Sequence, residues 1–245
     1  MPLKDLLNRP RAFVRAAGFD VVRYAPPAIG TVDARRLAAI ERGHVAAVLD
    51  VGAAGGDFGR KLRASGYGGE IVSFEPLTAA FERLAQAAEG DDRWRTLQTA
   101  VGDRDRSAEL NISGTPVSSS LLPMEPLHVE TIPASQYEGH ETVRVRPLDA
   151  LVGELPAPVR RGPFYLKIDV QGYEAQVLDG AADTLHRVAA IELEVSVRPL
   201  YRGAPLFRDM LARLEALGFT LVSWEDVLTD NGNRFVLQAD CIFVI

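Results

Sequence analysis

Val48-Leu-Asp-Val-Gly-Ala-Ala-Gly-Gly-Asp-Phe-Gly59 begins as an apolar run and breaks into four glycines within its last eight residues. Val48 to Val51 reads as a buried parallel strand. The glycines form the tight turn at its carboxyl end, and Phe58 to Ser65 is the helix that packs back on the sheet. Residues without a side chain at such a turn let a ligand touch the backbone.

Two ligand classes use this arrangement. A dinucleotide fingerprint needs G-x-G-x-x-G. Counted from Gly52, this chain has Ala54 at the second glycine and Asp57 at the third, where a carboxylate would repel a pyrophosphate. The Asp50-x-Gly52-x-x-x-Gly56 pattern instead resembles the S-adenosylmethionine loop of Rossmann-like methyltransferases. The next strand, Glu70 to Phe74, ends on Glu75-Pro76, 25 residues after Asp50. A carboxylate there can accept both hydroxyls of a nucleoside ribose.

The chain has 245 residues, enough for one α/β domain with a sheet covered on both faces. Its 47% apolar and 24% charged residues are those of a soluble globular protein. No apolar run reaches the ~18 residues of a membrane helix. Lys4, Asp5 and Arg9 interrupt any secretory core at the start. The lone Cys241 has no partner for an internal disulfide, so a cytoplasmic enzyme is expected. Residues 1 to 42 hold eight Lys/Arg against four Asp/Glu. The remainder holds 19 against 29, a net of minus ten, which argues against a nucleic-acid partner.

Taken in order, residues 1–43 read as an appended helical cap. Helical spacing over 3–17 is broken at Pro10, a strand candidate lies at 20–24 and Pro26-Pro27 makes a turn. A second helix is expected over 35–42. After Glu75, residues 77–88 form a helix and 94–100 a third strand, closed by the Val101-Gly102-Asp103 turn that should face an adenine. Residues 107–112 and 142–146 alternate polar and apolar side chains and should pair antiparallel. Between them, 113–141 reads as an irregular insertion and a lid. Its Ser119, Ser120, His128 and His140 are candidate acceptor contacts.

Pro163-Phe-Tyr-Leu-Lys-Ile-Asp-Val-Gln-Gly-Tyr-Glu174 is a second buried strand ending in a carboxylate and a glycine, with a helix expected over 175–186. Asp169 emerges at the edge where open α/β sheets bind their ligands. On the strand over 188–197, Glu192 and Glu194 share one face by the two-residue period. Glu194, nearer the carboxyl end, is assigned to the site, and Glu192 to a partner Lys or Arg. Arg198 and Tyr201 follow in the loop where an acceptor would arrive. An amphipathic helix over 206–217 and a hairpin of strands 219–224 and 235–245 complete a seven-stranded sheet.

Val48–Gly59, Ile71–Pro76, Ser118-Ser-Ser-Leu121, Lys167–Glu174, Val177-Leu-Asp-Gly-Ala181, Glu192-Leu-Glu194 and Pro199-Leu-Tyr201 together resemble the FkbM family of methyltransferases. The resemblance runs from about residue 45 to the end, and the Lys-Ile-Asp-Val-x-Gly-Tyr-Glu stretch is its distinctive part. It implies a Rossmann-like class I methyltransferase domain over 44–245, a mostly parallel seven-stranded sheet with helices on both faces and a C-terminal antiparallel hairpin. It also implies S-adenosylmethionine as donor, S-adenosylhomocysteine as product, and O-methylation of a hydroxyl on a sugar, polyketide or other natural product. Cofactor contacts then fall on Asp50, Gly52, Ala53, Gly55, Gly56, Phe58, Glu75, Pro76, Val101, Gly102, Asp103 and Asp169.

Asp169 and Glu194 are the candidate bases for an in-line displacement. They are compatible with a Mg²⁺ ion as a hard-oxygen pair, though the sequence holds no dedicated metal motif. The sequence also leaves open a homo-oligomer, an NAD(P)-dependent oxidoreductase on the same sheet, and a non-catalytic binding module on a methyltransferase scaffold.

Overall fold

The computed structural model describes residues 31–230 and 232–245. The helix expected over 3–17, the strand candidate at 20–24 and the Pro26-Pro27 turn lie outside the described residues. The main sheet has seven strands in the order β3-β2-β1-β7-β8-β10-β9. They are β1 Ala47–Val51, β2 Glu70–Phe74, β3 Trp94–Leu97, β7 Phe164–Ile168, β8 Val188–Ser196, β9 Thr220–Thr229 and β10 Val236–Val244. β10 runs antiparallel to both neighbours, and β9–β10 is the terminal hairpin. The strand order reverses between β1 and β7, so the crevice that binds ligands in open α/β sheets opens there.

The two faces differ in chemistry. One is apolar along its length, with Leu49, Val51, Leu166, Ile168, Leu193 and Phe243 packed under helices 148–154, 174–179 and 207–216. The other is apolar where the strands begin. There Val48, Ile71, Tyr165 and Ala190 meet Leu62, Leu84 and Ile40 from helices 57–64, 78–88 and 32–42. Toward the carboxyl ends that second face turns polar. Ser73, Asp50, Lys167 and Glu192 stand side by side in register across four strands.

The polar row is closed from above by the Val32–Arg42 helix. Arg36 reaches Glu192 with two bonds of 2.6 Å, Nε to Oε2 and Nη2 to Oε1, and the Tyr165 hydroxyl donates to Glu192 Oε2 as well. The expected basic partner of Glu192 is therefore a residue of the segment read as a cap. Arg36 and Lys167 both lie over the Phe58 ring, at 5.1 and 5.4 Å.

Three elements depart from the expected pattern. The third strand stops at Leu97, and Ala100–Val101 forms β4 of a separate three-stranded sheet, order β4-β6-β5. The helix expected over 175–186 breaks at Gly180, where a Cβ would come within 1.9 Å of the Gly102 carbonyl oxygen. The stretch 113–141 is not wholly irregular. It holds a short helix Pro126–Thr131, and its end belongs to β6 Tyr137–Arg146, which pairs antiparallel with β5 Arg106–Ser113.

The arginine bridge yields a stability test. Arg36→Met leaves Glu192 buried without its cation and should destabilise the fold by about 3–5 kcal/mol in denaturant titration, while adding Glu192→Leu should recover most of that loss. A single-variant loss below about 1 kcal/mol, the scale of an exposed pair, would mean the bridge does not hold the helix down.

Candidate active site

A cavity of about 660 Å³, its open mouth included, lies at the carboxyl ends of β1, β2 and β7. Gly52, Glu75 and Asp169 line it, one from each strand end, together with Pro76, Val101, Ser119 and Ser120. The walls are mostly apolar, with Phe74, Leu77, Leu110, Pro116, Val117 and Leu121 among them, and Tyr173 closes one side.

Glu75 is 6% exposed. Its Oε2 accepts the Ala54 N–H and its Oε1 the Leu77 N–H, both at 2.9 Å. Each oxygen keeps a second lone pair for a ligand. Burial pushes the Glu75 carboxyl up to about 7, against the two backbone bonds that hold it down.

The glycines of the first loop serve the packing of the loop itself. A Cβ on Gly52 would come within 1.9 Å of the Asp169 carbonyl oxygen, so the β1 and β7 turns touch backbone to backbone. A Cβ on Gly56 would meet Leu84, Ala87 and the Trp94 ring, which puts that residue against the neighbouring helix and strand. Gly52 at φ +82° and Gly56 at φ +83° hold the left-handed conformation that glycine adopts without strain.

Asp169 sits at the centre of the charged part. Its Oδ2 lies 3.2 Å from Lys167 Nζ and its Oδ1 2.8 Å from Gln171 Nε2. Lys167 also faces Asp50 Oδ1 at 3.8 Å. Burial works against the ammonium, but Asp169, Asp50 and Glu192 outweigh it and hold its pKa above the ordinary lysine value. Asp50 is fully buried and accepts from the Ser73 hydroxyl at 3.0 Å, while its Oδ1 has no hydrogen-bond partner. Burial raises its pKa despite Lys167 and Ser73. Glu194 Oε2 accepts from Gln171 Nε2 at 2.6 Å and Gln238 Nε2 at 2.9 Å. Burial first, then Asp169 and Asp240, push the Glu194 carboxyl well above its ordinary value, which favours the neutral acid.

The structure thus brings Gly52, Glu75, Pro76, Val101, Ser119, Ser120 and Asp169 together at one cavity, with Glu194 one amide behind Asp169. The other proposed contacts stand elsewhere. The Asp50 side chain is in the polar row and Phe58 lies beneath its two cations. Gly102 packs under Val145 and Tyr173, and Asp103 lies 3.5 Å from the Tyr173 hydroxyl. Ala53 is buried in the second core and Gly55 faces Arg83.

His128 is 1% exposed, edge-on to Tyr201, with neither ring nitrogen bonded. His140 lies in β6, exposed beside Glu109 and away from the cavity lining. Arg198 is exposed in the loop after β8, and Tyr201 is buried with its hydroxyl 2.7 Å from Gln171 Oε1.

Sequence reasoning passed over Gln171 and Lys167. Both stand in the quoted 163–174 stretch, Lys167 on the Asp169 face by the two-residue period and Gln171 as a polar residue at a strand-to-helix turn. Leu110 and Thr99 come from elements with no local signal of ligand contact. Among the described residues no group of three or more His, Cys, Asp or Glu is placed to hold a metal ion.

The strand order, the terminal hairpin and the cavity at the switch point define a class I methyltransferase fold. The methyltransferase FkbM domain matches residues 50–221, and the chain belongs to that family. No curated protein matches the sequence.

Among solved structures, the chain resembles a Streptococcus pneumoniae protein provisionally assigned as a tRNA (m1A22) methyltransferase (13% identity, TM-score 0.45). That match covers 81% of this chain and 63% of the other, so the chain spans less than two thirds of that protein's length. It also resembles magnesium protoporphyrin IX methyltransferase from Synechocystis PCC 6803 with bound S-adenosylmethionine (11%, TM-score 0.47, covering 95% and 88%). A third is Aeropyrum pernix fibrillarin in complex with natively bound S-adenosylmethionine (11%, TM-score 0.46, covering 85% and 74%). At these identities and scores the likeness says nothing of the acceptor.

S-adenosylmethionine is the cofactor. The residues present fit it: free lone pairs on Glu75 for ribose hydroxyls, apolar walls at Phe74, Val101 and Leu121 for a purine, and Asp169 on the remaining side for a cation.

The Glu75 carboxyl provides the test. Two hydroxyl bonds to a charged acceptor are worth about 1.5–3 kcal/mol each, so Glu75→Ala should weaken S-adenosylhomocysteine binding at least about tenfold by calorimetry. Hydroxyls donate best to the ionised carboxylate, so wild-type affinity should climb as pH rises through about 7, and Glu75→Gln should flatten that climb.

The ligand-free fold responds in the opposite sense. The folded-state values of about 7 for Glu75, Glu174 and Asp240 lie above their ordinary 4.5, 4.5 and 3.8. Their contribution is therefore complete at acid pH and is lost as pH rises to about 7, so the apo melting temperature should fall over that window.

Proposed function

We propose that the protein transfers the methyl group of S-adenosylmethionine to a hydroxyl oxygen of a small molecule such as a sugar, a polyketide or another natural product. The single observation that carries this reading is the Asp169 carboxylate, 33% exposed on the cavity wall and held from behind by Lys167 and Gln171. A hydroxyl, unlike an amine, must give up its proton as it is alkylated, and a fixed carboxylate at the acceptor's approach is the group to take it.

S-adenosylmethionine supplies an electrophilic methyl on a sulfonium when bound. Asp169 Oδ takes the proton from the acceptor hydroxyl as the oxygen becomes nucleophilic, and Lys167 offsets the carboxylate's charge before that step. Glu194 is held as the neutral acid and serves Asp169 through their shared amide. Pro116, Val117 and Leu121 give the acceptor side of the cavity an apolar lining from the insertion. The insertion over 113–141, with Ser119 and Ser120 at the cavity, acts as the lid, and positioning does most of the catalytic work. The excess of acids beyond residue 42 favours an uncharged acceptor over a polyanion. A cytoplasmic place in natural-product biosynthesis belongs with this proposal.

A panel of hydroxylated small molecules, assayed by S-adenosylhomocysteine release, identifies the acceptor. Asp169→Asn keeps the shape and removes the charge. It should lower kcat by about 10²-fold or more, on the scale of a lost general base, with S-adenosylhomocysteine affinity nearly retained. Unchanged turnover would reject Asp169 as the base. So would a cofactor complex placing both Asp169 and Glu194 more than about 8 Å from the sulfur, beyond reach of an acceptor oxygen even through one water.

A further inference from the structure

Gln171 has entered so far only as a group behind Asp169, yet its side chain and backbone also reach Glu194, Tyr201 and Ser120. It is 8% exposed and lies at φ +54°, a left-handed backbone that glutamine adopts only under strain. A glycine would occupy the same place without strain. The side chain accounts for its presence. Both amide hydrogens of Nε2 are used, one on Asp169 Oδ1 at 2.8 Å and one on Glu194 Oε2 at 2.6 Å. Oε1 faces the Tyr201 hydroxyl at 2.7 Å. The backbone carbonyl of the same residue accepts the Ser120 hydroxyl at 2.6 Å, from the insertion that walls the cavity.

One carboxamide thus joins the β7 turn, β8 and the loop after β8, while its backbone holds the insertion. A planar group with three bonded corners has one orientation, and that orientation decides where the Asp169 carboxylate can point. It also stands between two carboxylates that would otherwise share a proton or repel.

We propose that Gln171 is the positioning residue of methyl transfer. Its amide fixes the Asp169 carboxylate at the cavity wall at a set distance from Glu194, and its carbonyl docks the insertion on the same turn. This rests on the methyltransferase reading of the site and adds to it a residue that touches no reacting atom.

The test uses the pair S-adenosylmethionine and S-adenosylhomocysteine, which differ by one methyl and the positive charge on sulfur. A carboxylate fixed beside the sulfur favours the charged member alone, so the ratio of the two affinities reads its placement without any acceptor. Calorimetric titrations are made on wild type, Asp169→Asn and Gln171→Gly, with melting temperatures for each.

Asp169→Asn should lower the preference for S-adenosylmethionine. Gln171→Gly should reproduce most of that loss, about tenfold on the scale of a charge-assisted hydrogen bond, with S-adenosylhomocysteine affinity kept. Its melting temperature should fall, because relief of the left-handed strain recovers only part of the three lost bonds, while the binding site for the neutral ligand stays intact.

A preference that survives in Gln171→Gly while Asp169→Asn abolishes it overturns the proposal. Parallel loss of both affinities together with a lower melting temperature does so too, since a purely structural role would look like that. If Asp169→Asn itself leaves the ratio unchanged, the carboxylate is not beside the sulfur, and the proposal falls with the base assignment. A wild type that binds neither compound would instead refute the methyltransferase reading.

Discussion

The structure depends on how it places charge inside a sheet. Asp50, Glu192 and Glu194 sit on strands buried on both faces, with Asp169 and Asp240 beside them, and Lys167 and Arg36 are the cations that face them. An isolated buried carboxylate is expensive, and among the described residues these two cations do not neutralise the five acids. The fold resolves the excess in two ways. Arg36 and Lys167 take direct partners, and burial holds Asp50, Glu194 and Asp240 toward their protonated forms. The carboxylate left in contact with both a cation and the cavity is Asp169.

The same row explains why the Val32–Arg42 helix is packed where it is. Its Ala39 and Ile40 join the apolar half of the face, while Arg36 enters the polar half. A helix that delivered only apolar residues would leave Glu192 without its cation. Anchoring and charge balance are therefore one requirement, met by a residue that precedes the part of the chain matched to the family.

Much of this was visible in the sequence because the strands are short apolar runs in which single polar residues stand out. Asp50, Lys167, Glu192 and Glu194 each interrupt such a run, and the two-residue period places the pairs 167/169 and 192/194 on common faces. The strand-glycine-strand order likewise gave the position of the cavity before its walls were known. Three-dimensional partners were not legible. Nothing near Gly52 announces that its missing side chain makes room for the Asp169 carbonyl, or near Gly59 that the space belongs to Trp94. The histidines misled for a related reason. His128 and His140 have polar side chains in a segment read as a loop, yet one is packed on Tyr201 in a short helix and the other stands exposed on β6.

The close contact of the two loops has a mechanistic consequence. Gly52 leaves the strand that carries Asp50, and its backbone touches the Asp169 backbone, while the Asp169 N–H donates to the Val51 carbonyl at 3.0 Å. The glycine loop and the candidate base are therefore parts of one hydrogen-bonded junction and cannot shift independently. Glu174 closes the second loop from below by accepting the Val170 and Gly172 N–H groups, and Glu75 ties the first loop to β2 through the Ala54 N–H. A carboxylate positioned by a junction of this kind needs little reorganisation when the acceptor arrives, which is where preorganised sites gain most over solution. The stretch from Lys167 to Glu174 is the junction itself. It supplies the cation, the carboxylate, the bridging amide, the glycine at the turn and the acid that closes it.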